Sequence, residues 1–191
     1  MDKNIEKYVY KTSFISKDEC TNVLNTLNKE NNWREYPFDS AKDNICVKEN
    51  PDIKYRDTKL QNSELNNHLN NKIENVVDEY INVFLKDMYW FPKWKGYGDF
   101  HFIHYPKNTG MGTHCDHVSN QFDGTRRGIP VLSVLGMLTD NFKGGKLLFW
   151  DETIIEFQAG EVLIFPSNFL YPHRVMPVLE GDRYSFIKWV W

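Results

Sequence analysis

The sequence predicts a mainly β fold with helices at its N-terminal end: a barrel or two-sheet jelly roll supported by one long and one shorter helix. Two observations carry this. From about residue 99 the chain breaks into short apolar runs divided by Gly144-Gly145, Gly160, Pro166 and Gly181, the rhythm of a barrel or a sandwich. Before that point, two stretches keep the i, i+3, i+4 spacing of amphipathic helices. A length of 191 residues suits one domain. The chain therefore reads as a single unit, with residues 1–98 as helical support and a lid loop and residues 99–191 as the jelly-roll core.

The elements follow in order. Residues 8–14 read as a strand. Ser16-Lys17-Asp18-Glu19 has the Ser-x-x-Glu pattern of a capping box, and the helix behind it carries Cys20, Val23, Leu24 and Leu27 on one face before ending at Asn31-Asn32. Residues 33–61 contain Pro37, Asn50-Pro51 and scattered charges with little periodicity. They predict a long connection without regular structure, a kind that often serves as a lid. Ser63 is placed to cap the next helix. Leu65, Leu69, Ile73, Val76, Val77, Tyr80, Ile81 and Phe84 then hold helical spacing for about six turns. His68 lies among asparagines in that helix and reads as a surface residue.

Past residue 92 the period changes to that of strands. Residues 100–105 form one, running into a turn at Gly110 and Gly112 where glycine relieves the steric cost of a sharp bend. Residues 118–128 are polar and read as a loop. Residues 130–138 are apolar and predict a buried strand. A turn at Asn141–Gly145 sends the chain back through residues 146–150, and residues 153–157, 161–165, 171–178 and 183–191 complete the set.

Composition excludes several roles. The net charge is −3, so the basic surface that nucleic-acid backbones require is missing and no nucleic-acid partner is expected. Three cysteines, with no Cys-x-x-Cys, indicate neither a disulfide framework nor a zinc knuckle. The N-terminus is polar and acidic, and no apolar run is long enough to span a bilayer. The expectation is a soluble, cytoplasmic protein with no membrane partner. Nothing in the sequence sets its oligomeric state.

Chemistry concentrates in the C-terminal half. His114 and Asp116 stand two apart on extended backbone, so they project to one side and Cys115 to the other. A lone His-x-Asp is a common coincidence, and the residues after it raise its weight. His173 is the candidate third ligand. In the last strand Arg183, Ser185, Ile187, Trp189 and Trp191 share a face, and an inward guanidinium is costly without an anion to meet it. A carboxylate would fit its bidentate fork. Two histidines and a carboxylate leave three positions open on an octahedral ion, the arrangement of non-haem Fe(II) oxygenases.

The order of these residues resembles a known family. His114/Asp116, Gly144-Gly145-Lys146-Leu147, Gly160 with Phe165-Pro166-Ser167, His173-Arg174-Val175-Met176-Pro177-Val178 and Gly181-Asp182-Arg183-Tyr184-Ser185 are similar to the prolyl 4-hydroxylase-like branch of the Fe(II)/2-oxoglutarate-dependent dioxygenases. The likeness covers roughly residues 100–191. It implies a double-stranded β-helix of the cupin type for the jelly roll, with residues 99–191 as the catalytic core. It also implies Fe(II) on His114, Asp116 and His173. The C5 carboxylate of 2-oxoglutarate would lie on Arg183 with help from Ser185 and Tyr105. O2 would be the second co-substrate and ascorbate an accessory reductant. Met137 departs from the hypoxia-sensing members, which place a tyrosine near that position. Candidates for substrate contact, read from residue type and place and not from the resemblance, are Arg126, Arg127, Trp150, His117 and Tyr36, with a solvated loop the alternative for the two arginines and core packing for Trp150. The substrate the resemblance favours is a prolyl residue in a peptide or protein, and the alternative is a free amino acid or other small metabolite. Rival readings are a non-catalytic metal-binding jelly roll, a zinc hydrolase and a nucleic-acid demethylase. The last lacks its second arginine, since Trp189 stands there.

Overall fold

The computed structural model describes residues 3–42, 45–89, 91, 94, 96–116, 130–150 and 152–191, with backbone alone at 3–4, 36–42 and 45–56. A 3-10 turn (Lys3–Tyr8) leads into β1 (Tyr10–Ser13) and α1 (Lys17–Leu27), followed by β2 (Arg34–Lys42), β3 (Ile45–Thr58) and α2 (Ser63–Phe84). The strands β4 (His101–Tyr105), β5 (Met111–His114), β6 (Leu132–Met137), β7 (Lys143–Gly144), β8 (Leu147–Phe149) and β9 (Thr153–Ile155) come next. β10 (Glu161–Pro166), β11 (His173–Val175), β12 (Val178–Glu180) and β13 (Arg183–Val190) close the chain. A major sheet runs β1-β10-β6-β13-β4-β3-β2, a minor sheet β5-β11-β8-β9, and β12 pairs with β7. The fold is a double-stranded β-helix with two helices behind its major sheet.

The two faces of the major sheet sort by residue parity, as a pleated strand requires. Phe102, Leu132, Val134, Val162, Ile164, Phe186 and Val190 join the helix side, against Val23, Leu27, Leu69, Ile73 and Val77. Ile103, Tyr105, Leu135, Leu163, Phe165, Ile187 and Trp189 face the minor sheet, where Leu147, Phe149 and Val175 meet them. Burial on both sides explains why β6 shows no polar alternation in an antiparallel sheet, where one solvated face is the commoner pattern. Contact behind the sheet is close: a Cβ on Gly136 would lie 2.1 Å from the Phe186 ring.

The helices follow their caps. Ser16 Oγ accepts from the Glu19 N–H (3.2 Å) and the Glu19 carboxylate accepts from the Ser16 N–H (2.8 Å), which closes the capping box. α2 starts at Ser63 itself and is capped one residue earlier than expected, by Asn62, whose Oδ1 accepts from the Leu65 N–H at 2.9 Å. The first strand begins at Tyr10, since the 3-10 turn holds the chain as far as Tyr8. His68 is a surface residue, paired with Glu19 across the gap between the helices at 2.8 Å.

Residues 33–61 differ from expectation. They are not a structureless connection. β2 and β3 pair along their lengths, and β3 continues onto β4 with Asp57 opposite Ile103. The register shifts at Pro37/Phe38 and Phe38/Asp39. The sequence of this hairpin shows no period of two for inspection to detect. β2 also runs against β5, so this hairpin borders the strand that ends in His114. Among the described residues no helix is long and apolar enough to cross a membrane.

The helix–sheet interface should carry much of the stability. Ile73 is fully buried in it, and Ile73→Ala should cost about 2–5 kcal/mol through lost burial and the cavity left behind. Urea denaturation measures this, and a loss below about 1 kcal/mol would mean the helix packs loosely.

Candidate metal and co-substrate site

Neighbouring strands of the minor sheet bring the two histidines together. His173 on β11 is the cross-strand partner of His114 on β5, and their ring centroids lie 4.4 Å apart. Asp116 follows in the bend just past β5 and is buried. One ligand atom from each of the three residues falls within 4.8 Å of the others, close enough for one ion to bridge them.

The local hydrogen bonds aim the ligand atoms. His114 Nδ1 lies 2.8 Å from the Gly112 carbonyl and His173 Nδ1 lies 3.1 Å from the Tyr171 carbonyl. A carbonyl only accepts, so each Nδ1 carries the proton and each Nε2 keeps its lone pair. These are the backbone partners that hold metal-ligating histidines in one tautomer. Both Nε2 atoms face Asp116 Oδ1, at 3.6 Å from His114 and 3.9 Å from His173. Asp116 Oδ2 is engaged elsewhere, accepting from the Ser133 hydroxyl. Three lone pairs therefore converge on one point, and the donor set fits a divalent ion such as Fe(II).

Electrostatics bears on two of the three residues, His173 and Asp116. Burial between the Phe149 and Phe165 rings, with His114 adding to the effect, lowers the His173 pKa to about 4, so its imidazole is neutral. Burial alone would raise the Asp116 carboxyl. The attraction of the neighbouring imidazoles in their cationic form, with donors from the Ser133 hydroxyl and the Trp189 indole, outweighs burial and holds Asp116 below its usual range.

Arg183 is the second feature of the interior. It opens β13 and is fully buried on the barrel side. Its Nη1 donates to Ser185 Oγ at 2.8 Å, and its guanidinium stands 5.0 Å from the Tyr105 ring centroid. Nε and Nη2 have no acceptor among the described residues. Burial draws the Arg183 pKa downward, although a guanidinium starts too high to lose its proton near neutrality. Tyr105 is pushed up to about 12 by burial, so its hydroxyl keeps the hydrogen it can donate. Met137 is the cross-strand partner of Ser185 and brings a thioether to this corner. Gly145 adopts φ +57, and a Cβ there would stand 2.9 Å from Arg183 Cδ. The Gly-Gly turn therefore also makes room for the arginine stem.

The structure brings together His114, Asp116 and His173, and separately Arg183, Ser185 and Tyr105. Trp150 takes a different position. It sits in the β8–β9 turn with φ +53, donates from its indole to the Leu170 carbonyl at 2.7 Å, and lines a groove with Glu6, Lys11 and Ile154 that includes none of the three ligands. Tyr36 is placed by its backbone alone, opposite Tyr55 in the β2–β3 hairpin. His117, Arg126 and Arg127 lie outside the described residues. His104 is structural, bound to Asp182 at 2.6 Å and stacked on Tyr184 at 4.3 Å. His101 lies 3.6 Å from Asp57. Lys188 projects to the helix side, donating to Asn70 Oδ1 at 2.7 Å and to the Gly98 carbonyl at 2.6 Å. Sequence reasoning assigned no role to Ser133, marked Ser167 only as part of a motif and Gly145 only as a turn residue. A lone serine inside the apolar run 130–138 was the available signal for the first.

The His173 environment gives a pH dependence with a definite sign. An unfolded imidazole titrates near 6.5 and this buried one near 4. Above 6.5 both states are neutral. Below it the unfolded chain binds a proton that the folded chain refuses, so stability falls until the pH reaches about 4. Relative to His173→Gln, the metal-free protein should lose up to about 3 kcal/mol across that window. Urea melts at several pH values measure it, and parallel pH profiles for the two proteins would contradict it.

Comparison with known proteins agrees with this geometry. Residues 100–191 match the family model of the 2OG-Fe(II) oxygenase superfamily. A PKHD-type hydroxylase of Idiomarina loihiensis is 36% identical over 89 residues, a match spanning 45% of this chain and 38% of that protein. Among solved structures, the viral collagen prolyl hydroxylase of Paramecium Bursaria Chlorella virus-1 superposes with a TM-score of 0.68 at 17% identity, over 96% of this chain and 95% of that one. A prolyl hydroxylase from Trichoplax adhaerens, in complex with a hypoxia inducible factor peptide fragment, gives 0.68 at 19%, over 100% and 86%. These likenesses establish the shared fold. The family match spans the segment that carries His114, Asp116, His173 and Arg183, so residues 100–191 are similar to the 2OG-Fe(II) oxygenase superfamily, and the matched stretch is under two fifths of the length of the curated relative.

Proposed function

We propose that the protein is a hydroxylase of an unactivated C–H bond, with a prolyl residue in a peptide or protein as its substrate. In this reading His114, Asp116 and His173 hold Fe(II), and Arg183, with Ser185 and Tyr105, receives the C5 carboxylate of 2-oxoglutarate. The observation that carries it is the Arg183 guanidinium, fully buried with Nε and Nη2 unmet. A buried cation is tolerated where a ligand completes its partners, and a dicarboxylate reaching inward from the metal would do so. A metal-binding jelly roll without catalysis, or a zinc hydrolase, gives that arginine no task.

When bound, Fe(II) and 2-oxoglutarate supply O2 activation coupled to oxidative decarboxylation, yielding succinate, CO2 and a hydroxylated substrate. The chain's own residues supply placement. Neutral His173 and ionised Asp116 offer lone pairs without first losing protons. The Arg183 fork sets the direction of the co-substrate chain. Phe149, Phe165 and Trp189 keep the interior dry, which limits side reactions of a strong oxidant.

The peptidyl-prolyl assignment draws on two supports. Solved relatives of the same fold are named as prolyl hydroxylases, one of them holding a peptide. The β2–β3 hairpin lies against β5, giving the site a wall along which an extended peptide could lie. The free thiols of Cys20 and Cys115 suit a reducing cytoplasm.

Arg183→Ala should weaken 2-oxoglutarate binding by about 2–5 kcal/mol and change Fe(II) affinity far less, as read by anaerobic calorimetry. Unchanged 2-oxoglutarate affinity would move the anchor elsewhere. Incubation of iron-loaded enzyme with proline-rich peptides should add one oxygen to peptidyl proline, detected by mass. Succinate production stimulated by free amino acids alone would reject the peptide substrate.

A further inference from the structure

We infer that Ser133 and Ser167 are positioning residues for the metal, a two-hydroxyl relay that fixes Asp116 as a one-oxygen ligand. The inference rests on the metal reading above. Ser133 is fully buried on β6, and Ser167, just past β10, is nearly so. Ser133 Oγ bonds Asp116 Oδ2 and lies 2.8 Å from Ser167 Oγ. A carboxylate only accepts, so the single Ser133 hydrogen points at Asp116. Ser133 must then accept from Ser167, and the chain of donors runs Ser167 to Ser133 to Asp116. Its far end is tied as well, because the Ser167 N–H donates to the Val131 carbonyl at 3.1 Å.

The surroundings show why a relay is placed here. On the inner face of the major sheet, Leu135 and Ile187 near Ser133 are apolar, and the Trp189 ring brings only an indole donor and no acceptor. A serine among them costs free energy unless its hydroxyl is used. Its register partner on β13 is Trp189, and on β10 it is Phe165, so neither neighbouring strand offers a side-chain acceptor in register. Asp116 takes that role, and Ser167 then gives Ser133 a donor as well as an acceptor.

The consequence concerns how many oxygens Asp116 gives to the ion. Unconstrained carboxylates bind metals through one oxygen or two. With two oxygens from Asp116, two nitrogens from the histidines and two atoms from a chelating co-substrate, an octahedral ion would be full. The relay occupies Oδ2 and leaves Oδ1 facing both histidine Nε2 atoms. One coordination position thereby stays free. The relay also joins β6, the β10–β11 connection and the bend after β5, so Asp116 is held from strands other than its own.

The test is metal binding, read independently of turnover. Mn(II) serves as the probe, its free fraction measured by electron paramagnetic resonance on Ser133→Ala, Ser133→Thr and Ser167→Ala. Loss of such outer partners typically weakens metal binding about 10- to 100-fold, and Ser133→Ala should fall in that range with the thermal midpoint of the metal-free protein kept. Ser133→Thr, which retains the hydroxyl, should recover most of the affinity. Ser167→Ala, which removes only the outer donor, should lose at least about threefold. This variant decides the matter if Ser133→Ala fails to fold. Mn(II) affinity within twofold of the unmodified protein in Ser133→Ala, or in Ser167→Ala where the first does not fold, overturns the relay. His173→Ala is the separate control. If it too binds Mn(II) normally, the metal site itself is misassigned, a failure distinct from that of the relay.

Discussion

The structure depends on a sheet buried on both faces. The pleat sends alternate residues of β4, β6, β10 and β13 into the barrel and the others toward α1 and α2. With no solvent on either side, any polar group on these strands must find a partner in the protein or a ligand. Lys188 meets the requirement on the helix side with Asn70, the Gly98 carbonyl and the Phe100 ring. Ser133 meets it on the barrel side with Asp116 and Ser167. Arg183 meets it only in part, through Ser185. The one inward cation left with open donors on these strands is also the one that shares the barrel with the histidine and aspartate cluster.

That contrast separates structural polarity from functional polarity. Lys188 and Arg183 lie on one strand, both deeply buried, and differ by odd and even position. The lysine serves to tie helix and loop to the sheet. The arginine, its Nε and Nη2 unmatched, carries a desolvation cost that the fold alone does not offset. A dicarboxylate long enough to reach from the metal ligands would offset it, and binding would then stabilise the folded state in proportion to ligand concentration.

Much of this was legible in the sequence. The capping box at Ser16 and Glu19 and the apolar stripe of α2 are local signals, and both elements form where expected. That His114, Asp116 and His173 would meet was legible from their order along the chain, and one atom of each lies within 4.8 Å of the others; the inward burial of Arg183 was legible from its parity in the last strand. The β2–β3 hairpin was not: its backbone register shifts at Pro37/Phe38 and Phe38/Asp39, and the sequence there carries no period of two. Ser133 was visible only as an odd polar residue in an apolar run. Its partner Asp116 sits in a bend beyond β5, and which strand that bend faces is tertiary information. Trp150 lines a groove apart from the three ligands, with its indole turned to the Leu170 carbonyl, a placement set by the turn after β8 and not by residue type.

The central claim is that the histidine–aspartate cluster and Arg183 together form one site, for a metal and a dicarboxylate bound to it. Anaerobic reconstitution with Fe(II), followed by titration with 2-oxoglutarate, tests this most directly. The account predicts a visible metal-to-ligand charge-transfer band that grows with 2-oxoglutarate, saturates at one equivalent per chain and is lost in His173→Ala. A protein that binds Fe(II) but develops no such band at saturating 2-oxoglutarate would contradict it.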